Sequence, residues 1–199
     1  MIVHNNKLAQ CYTAVMSPLL FLRFLPQTLF FLLSPRRKII SDELQKETDE
    51  YGIKHFRFFW ALRFDPYFVT LFYHRIGAWK AFICSLTRHD HSTLTIVSKL
   101  GEGITMYHPF ATILNARSIG KNFTFRNNTT IGNIHDDDSK RPVIGDNVTL
   151  GAHVVIFGDI TIGDNVIVGA GSVINKSIPA NSVVVGNPFR ILKTNSAMP

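Results

Sequence analysis

The chain has 199 residues, which is enough for one or two domains with a real hydrophobic core. Its net charge is +7 and its pI is near 9.6, but it contains no recognisable nucleic-acid-binding motif, so we expect no nucleic acid partner. An anionic membrane surface or a phosphorylated substrate fits the charge better.

Glycine and phenylalanine divide the chain near residue 95. Eleven of the 13 Gly residues lie after that point and eleven of the 16 Phe residues lie before it. We therefore predict a Phe-rich helical region over residues 1–90 and a Gly-punctuated β domain over residues 96–192. Cys11 and Cys84 both fall in the front half, outside any CxxC pair, which predicts buried free thiols.

The first distinctive element is the apolar segment 16–33. Arg23, Pro26 and Gln27 interrupt it, whereas a membrane-spanning helix needs about 20 mostly apolar residues without a central charge. Two interpretations remain open: an interfacial segment whose basic neighbours at 36–38 contact headgroups, or a helix docked on the protein's own core or on a neighbouring subunit. We expect a cytoplasmic protein, and the first interpretation would place it peripherally at the inner membrane face.

Two helices are predicted before the β domain. Ser41 and Asp42 supply an N-cap for a polar helix from Glu43 to about Glu50. Asp65-Pro66 should start a second helix with Pro near its first position. Core-facing side chains then recur at helical spacing: Phe68, Leu71, Phe72, Arg75, Ile76 and Trp79. Residues 87–95 are polar and predict a connector.

The second half carries an aliphatic residue at every sixth position. The series is Ile144, Leu150, Ile156, Ile162, Val168 and Ile174, and the same period appears earlier at Ile119, Phe125 and Ile131. A period of six is neither the 3.6 of a helix nor the 2 of a flat strand. It requires a backbone that turns a corner every six residues, which is typical of a parallel β-helix.

The six-residue period is interrupted twice. It begins at Leu100 and Met106, slips by one residue around His108, and is expected to resume at Ile113. Residues 133–142 are polar and off-period, which predicts a loop projecting from the β-helix. Because the interior is filled with apolar side chains, functional sites must lie outside it or between subunits.

These repeats resemble those of the hexapeptide-repeat acyltransferases, within which the serine acetyltransferase-like branch is most similar. The resemblance covers about residues 96–192 and is carried by 101–108, 129–132, 141–152, 162–174 and 185–190. The front half resembles the small polysaccharide-type acetyltransferases in style only. The resemblance implies a mainly β fold, a left-handed parallel β-helix preceded by an α-helical N-terminal region. It also implies acetyl-CoA as co-substrate, no metal, and a homotrimer with active sites between neighbouring β-helices.

The resemblance makes His108 the candidate general base. In the family, the His at this position takes the proton from an acceptor hydroxyl as the oxygen attacks the thioester of acetyl-CoA. A hydroxyl is almost fully protonated at neutral pH, whereas an imidazole with an ordinary pKa of about 6.5 can take and return a proton. His108 also lies where the period slips, so its side chain can leave the packed interior. The alternative is a surface His with no role.

The resemblance also implies where CoA binds. Gly132, Ala152 and Ala170 match small family residues along a groove between coils, where a larger side chain would block the pantetheine arm. Lys176 and Arg190 are candidate partners for the CoA phosphates, although each would equally suit an exposed charge.

Three positions depart from the serine acetyltransferase pattern. The family has an Asp fifteen residues before the base, an acidic residue just before it, and Arg-His before the Pro that ends the loop. This chain has Thr93, Tyr107 and Lys140-Arg141 there. In the family, residues at several of these positions recognise serine. Because this chain lacks those residues, serine is not favoured as the acceptor. Asp90, a carboxylate within 136–138, or a backbone carbonyl could orient His108 instead.

Two further histidines have competing interpretations. His135 adjoins Asp136, Asp137 and Asp138, but three consecutive carboxylates are not spaced to meet at one ion, so we predict a solvated loop and no metal site. His153 replaces a small residue of the repeat and should face outward or into a subunit interface.

We therefore predict an acetyl-CoA-dependent O-acetyltransferase that acts on a sugar hydroxyl in polysaccharide or capsule biosynthesis. Its acceptor would be a small-molecule or lipid-linked sugar. Two alternatives remain: a serine O-acetyltransferase of cysteine biosynthesis, and a non-catalytic β-helix scaffold, which Thr93 in place of the family's Asp keeps open.

Overall fold

The computed structural model describes residues 6–135 and 137–194, and the chain divides into two compact units between Ser92 and Thr93. The first unit contains the described helices: α1 (Asn6–Arg23), α2 (Leu25–Leu32), α3 (Arg37–Glu50), α4 (Arg57–Phe64), α5 (Pro66–Ile76) and α6 (Ala78–Ser85). The second contains short strands: β1 (Leu94–Ile96), β2 (Lys99–Leu100), β3 (Thr105–Tyr107), β4 (Thr112–Leu114), β5 (Ser118–Ile119), β6 (Thr124–Arg126), β7 (Thr130–Gly132), β8 (Val143–Ile144), β9 (Thr149–Leu150), β10 (Val155–Phe157), β11 (Thr161–Ile162), β12 (Ile167–Val168), β13 (Val173–Ile174), β14 (Ser182–Gly186) and β15 (Phe189–Thr194).

From β1 to β13, every third strand lies in the same sheet. The first sheet has the order β1-β4-β7-β10-β13, the second β2-β5-β8-β11 and the third β3-β6-β9-β12-β14-β15. All these pairings are parallel except the last, because β15 turns back and runs antiparallel to β14. The chain thus winds through three faces in each coil, which confirms the predicted parallel β-helix.

The core of the β-helix consists of three stacks of apolar side chains, one for each sheet. The stacks are Leu114-Ile131-Ile156-Ile174, Ile119-Ile144-Ile162-Ile178 and Met106-Phe125-Leu150-Val168-Val184, and each of these residues is at most 3% exposed. The six-residue repeat is therefore confirmed. The prediction that Ile113 resumes it was wrong: Ile113 is 46% exposed and Leu114 is fully buried. The cause is a slip of two residues, not one, at the turn after β3.

The recurrent Gly-Asp-Asn sequence of the repeats is explained by one corner of the β-helix. A Cβ on Gly145 would lie 2.3 Å from Oδ1 of Asp164 in the next coil. Asn147 and Asn165 have left-handed backbones, with φ of 57° and 56°, which Asn tolerates better than most residues. Their side chains form a ladder, since Asn147 Nδ2 donates to Asn165 Oδ1 at 3.0 Å and Asn165 Nδ2 donates to Asn181 Oδ1 at 2.8 Å.

The helical unit confirms one predicted helix start and corrects another. α5 begins at Pro66, and Oδ1 of Asp65 accepts from the backbone N–H groups of Tyr67 and Phe68 at 2.9 and 3.0 Å. α3 begins at Arg37 and runs through Ser41 and Asp42, so the N-cap predicted there was wrong.

The predicted core stripe of the second helix is confirmed as far as Ile76. Phe68 and Phe72 are buried and their rings stack at 6.1 Å. Gly77 then ends α5, with φ of 92°, and the chain restarts as α6. Trp79 was expected on the same core stripe, but it belongs to α6 and is 63% exposed. Among the described residues, no single helix is long and apolar enough to span a membrane; Lys7–Arg23 and Leu25–Leu32 pass that test only as a pair, bent by 83°.

The helical unit also contains two neighbouring carboxyl groups, of which Asp65 is buried and Glu47 is half-buried. Burial raises the pKa of Glu47 to about 9, and the nearby charges of Asp65 and Glu50 add to the effect. Burial likewise raises the pKa of Asp65 to about 6, against the opposing effect of the hydrogen bonds from Phe68 and Tyr67. Glu47 therefore keeps its proton at neutral pH.

We expect Glu47→Gln to stabilise the protein at alkaline pH. The folded-state pKa of Glu47, about 9, exceeds its ordinary value of 4.5, so its contribution to stability is complete below pH 4.5 and is lost as the pH rises toward 9. One such group costs up to about 1.4 kcal/mol per pH unit. Gln keeps a neutral donor that cannot ionise. Thermal melts at pH 5 and pH 8.5 should show a smaller loss of Tm in the variant than in the wild type; equal losses would contradict this.

Candidate active site

One corner of the β-helix differs from the others, where the third sheet turns into the first. Its successive turns are residues 108–111, 127–129, 151–154 and 169–172, and we call this stack the histidine corner. From one buried core residue to the next, the first turn spans eight positions, Met106 to Leu114, whereas the other three span six, and His108 and Pro109 occupy the extra length. His108 is exposed and has a left-handed backbone, with φ of 49°. The structure thus places this imidazole outside the packed interior.

The backbone that follows His108 is held by Thr93. The Phe110 N–H donates to the His108 carbonyl at 2.8 Å, which closes a tight turn. The Ala111 N–H then donates to Thr93 Oγ1 at 2.8 Å, and the Thr112 N–H donates to the Thr93 carbonyl at 3.1 Å. Thr93 occupies the position of the family's orienting Asp. Its hydroxyl oxygen accepts a hydrogen bond from the backbone of the turn at Ala111, three residues after His108.

We expect Thr93→Val to lower kcat several-fold while changing the KM for acetyl-CoA little. Val has the shape of Thr but cannot accept the Ala111 N–H, and Ala111 itself has φ of 49°, which is unfavourable without such support. Thr93→Ser keeps the acceptor and should retain most of the activity. Steady-state kinetics on both variants make the comparison, and equal kcat values for Val and Ser would contradict a positioning role.

The carboxylates considered as partners of His108 are engaged elsewhere. The Asp90 carboxylate accepts hydrogen bonds from Thr70 Oγ1 and from the Ser92 backbone N–H, both at 2.8 Å and both within the helical unit. Asp137 accepts from Ser139, whose hydroxyl lowers the pKa of that carboxyl, and Asp138 accepts an amide N–H at 3.2 Å. Asp136 lies outside the described residues. Within those residues, none donates a hydrogen bond to the His108 imidazole or accepts one from it.

Residues 133–142 form the predicted loop between β7 and β8. Arg141 Nε donates to the Asp138 carbonyl at 2.8 Å, and Lys140 pairs with Asp137 at 3.2 Å. Arg117 donates to the Ser139 carbonyl and pairs with Asp159 at 3.2 Å. In the described part of the chain, no three His, Cys, Asp or Glu side chains are grouped as metal ligands would be. The Arg141 guanidinium, at a position where the family has His, also donates to Asn115 Oδ1 at 3.4 Å and so links the loop to the residue that follows β4.

The candidate CoA residues lie on two different corners. Ala152 and Ala170 are one coil apart on the histidine corner, where the Gly171 N–H donates to the Ala152 carbonyl at 2.9 Å. Arg190 pairs with Val185 at the last coil of the same corner. At about 4.8 Å per coil, His108 stands roughly 10 Å from the level of Ala152. The structure therefore aligns His108 with three of the five candidates.

Gly132 and Lys176 belong to the next corner, at the far end of the first sheet. Gly132 ends β7, and Lys176 follows β13 two coils further along. The three residues of β7 separate Gly132 from the histidine corner by about 10 Å at 3.3 Å per residue. A Cβ on Gly132 would meet nothing within 4 Å, so the structure shows no close packing that requires glycine there.

The sequence interpretation missed the polar residues beside His108. The Arg126 guanidinium lies over the Tyr107 ring, 4.8 Å from its centroid. Asn128 lies one coil below His153, and Asn128 Nδ2 is 3.4 Å from His153 Nε2. His153 is exposed, as expected. The sequence position could have indicated the contact between Arg126 and Tyr107. Arg126 directly follows the core residue Phe125, and Tyr107 directly follows the core residue Met106.

Residues 141–176 match the model of the bacterial transferase hexapeptide (six repeats). Over 93 residues, 46% of this chain, the sequence is 46% identical to WcaB of Escherichia coli K12, which has the provisional name of a colanic acid biosynthesis acetyltransferase. Over 97 residues, 48% of this chain, it is 41% identical to mitochondrial serine acetyltransferase 3 of Arabidopsis thaliana. The matches span 57% and 25% of these two relatives. The chain thus carries a hexapeptide-repeat domain homologous to those of acetyltransferases.

Solved structures show the same fold. Neisseria gonorrhoeae serine acetyltransferase matches with a TM-score of 0.69 and 22% identity, over 98% of this chain and 90% of that one. Serine acetyltransferase from Brucella abortus in complex with coenzyme A matches with a TM-score of 0.59 and 19% identity, over 86% of this chain and 73% of that one. At these identities the likeness concerns architecture alone.

Proposed function

We propose that the protein is an acetyl-CoA-dependent O-acetyltransferase whose acceptor is a sugar hydroxyl. The observation that carries the proposal is His108, presented on an extended turn of the same corner that holds Ala152 and Ala170. The homologous domains of named acetyltransferases and the coenzyme A complex of a protein with this fold support it.

The chemistry requires one base and no covalent intermediate on the protein. The His108 imidazole takes the proton of the acceptor hydroxyl while its oxygen attacks the thioester carbonyl carbon. The C–S bond then breaks, and the CoA thiolate takes a proton as it leaves. This base contributes on the order of 10² to 10⁴-fold when it is correctly placed. Ala152 and Ala170 are small enough to leave the corner open for the pantetheine arm.

A sugar acceptor in polysaccharide biosynthesis is favoured by two observations. The three positions that depart from the serine acetyltransferase pattern hold Thr93, Tyr107 and Arg141. Their side chains are engaged with the Ala111 N–H, with Arg126 and with the loop carbonyl of Asp138. The 46%-identical relative is named for colanic acid biosynthesis. Serine is the second candidate acceptor, because the other sequence relative and both structural relatives are serine acetyltransferases.

The proposal includes a homotrimer with sites between neighbouring β-helices, as the family resemblance implies. A cytoplasmic location is part of it, since both cysteines are free thiols, as expected in a reducing compartment. Cys84 is buried, as predicted, whereas Cys11 is exposed, so the burial predicted for Cys11 was wrong.

Thiol release from acetyl-CoA tests the acceptor directly. We expect release above the acceptor-free rate with at least one member of a panel of nucleotide sugars and polysaccharide fragments, and little with serine. Product mass should increase by one acetyl group. Serine as the best acceptor would overturn the substrate assignment. No release with any acceptor would instead favour the scaffold interpretation.

A further inference from the structure

The helical unit exposes an apolar stripe along α1. Leu8, Tyr12, Val15, Leu19 and Leu22 are each 40% exposed or more, and at 100° per residue they fall within an arc of about 80°. The buried residues of α1 lie on an adjacent arc. The stripe is therefore not part of the core that the unit forms by itself.

A second apolar area joins α2 and α6. Trp79, Phe82 and Leu86 are 63%, 69% and 75% exposed and share one face of α6 and its C-terminal turn. The Trp79 ring lies edge-on to Phe30 of α2, with centroids 5.5 Å apart, and the Lys80 ammonium lies over both rings at 5.4 and 5.8 Å. An amphipathic ring beside a lysine whose stem covers apolar surface is typical of a membrane–water boundary.

The charges around these faces have one sign. Residues 1–41 and 76–89 contain no Asp or Glu. They contain exposed Lys7, Arg23, Arg36, Arg37 and Lys38, together with Lys80. An anionic lipid surface complements this arrangement, at about 1 kcal/mol per basic residue near the headgroups. If a second copy of the chain covered these faces through a two-fold axis, the basic residues of the two copies would face each other and repel.

We propose that the exposed apolar faces of α1, α2 and α6, which we call the docking surface, bind an anionic lipid bilayer peripherally. Apolar side chains enter the boundary between headgroups and acyl chains while the flanking cations contact lipid phosphates. This inference is independent of the proposed acetyl transfer and would hold for a non-catalytic chain as well. It would bring the acyltransferase domain to acceptors held at a membrane.

Vesicle co-sedimentation of the full chain tests the docking surface. With vesicles of phosphatidylcholine and 30% phosphatidylglycerol, we expect at least tenfold tighter binding than with phosphatidylcholine alone, and most of that difference should vanish in 0.5 M NaCl. Phe82→Ser combined with Leu86→Ser should weaken binding at least tenfold. Val97→Ser, a matched exposed position of the β-helix at 54% exposure, should leave it unchanged.

A fluorescence measurement makes the test independent of sedimentation. Trp79 is 63% exposed and Trp60 is 5% exposed, so brominated lipids should quench Trp79 selectively, and Trp79→Phe should remove the effect. Binding that is equal in the double Ser variant and the wild type would overturn the proposal. So would lipid-free self-association by light scattering that the double variant abolishes, because the docking surface would then be occupied by a second copy.

Discussion

His108→Asn should reduce acetyl-CoA-dependent thiol release by about 10² to 10⁴-fold, with little change in the KM for acetyl-CoA. His108 has φ of 49°, and Asn tolerates that backbone better than Ala, so the turn should keep its shape while the base is lost. Steady-state kinetics give both kcat and the KM for acetyl-CoA.

His153→Asn and His135→Asn are the matched controls for this measurement. Both histidines are exposed and have left-handed backbone conformations, with φ of 59° and 55°. Each control therefore replaces His by Asn in a backbone conformation like that of His108. His153→Asn removes the contact with Asn128 but no proposed base. We expect each control to retain at least about a third of wild-type activity. A His108 variant as active as these controls would contradict the assignment of the base.

Gly151→Ala should destabilise the β-helix by about 1–3 kcal/mol or more. The added Cβ would lie 2.5 Å from the Ala170 nitrogen and 2.8 Å from the Ala170 Cα, and these are backbone atoms of the next coil that cannot swing away. The coils would have to separate at the histidine corner. The urea midpoint should fall, and CoA binding measured by calorimetry should weaken with it, because Ala170 is a candidate CoA contact.

Gly132→Ala is the internal control for that change. Its Cβ would meet nothing within 4 Å, so the free energy of unfolding from urea titration should stay within about 0.5 kcal/mol of the wild type. Comparing the two variants distinguishes the loss of stability caused by close packing between coils from the loss caused by replacing any glycine with alanine. Equal midpoints for the two variants would mean that the coils are not packed as tightly as the structure indicates.

The sequence determined the fold well because each core position recurs at a fixed interval. Ile144 and Ile162 differ by eighteen residues, which is one full coil, so their stacking follows from counting alone. The same counting failed at Ile113, because adjacent strand residues point to opposite sides and a turn two residues longer moves the core position to Leu114. The helix start at Ser41 failed for another reason: good capping residues are tolerated inside a helix whose packing favours an earlier start at Arg37.

The candidate site was predictable in part for the same reason. His108 was identifiable because the repeat slips there, and Ala152 and Ala170 differ by eighteen residues, so they share a corner. Gly132 comes directly after the core residue Ile131, whereas Ala152 comes two residues after Leu150. The residue spacing alone does not say which of the three faces a six-residue unit occupies, because the loop at 133–142 breaks the count between Ile131 and Ile144. The hydrogen bond from Ala111 to Thr93 had no signal in the sequence, because it depends on the shape of an irregular turn.

The reversal of the chain at β15 has a consequence for association between molecules. The final coil of a β-helix would otherwise present a row of unpaired backbone N–H and C=O groups, a template on which another chain's strand could continue the sheet. β15 occupies that edge of the third sheet along β14, from Ser182 to Gly186. Because it runs antiparallel, its outer edge has the wrong direction to receive a further coil of the same kind. The third face is thereby protected against end-to-end fibre growth at its C-terminal edge.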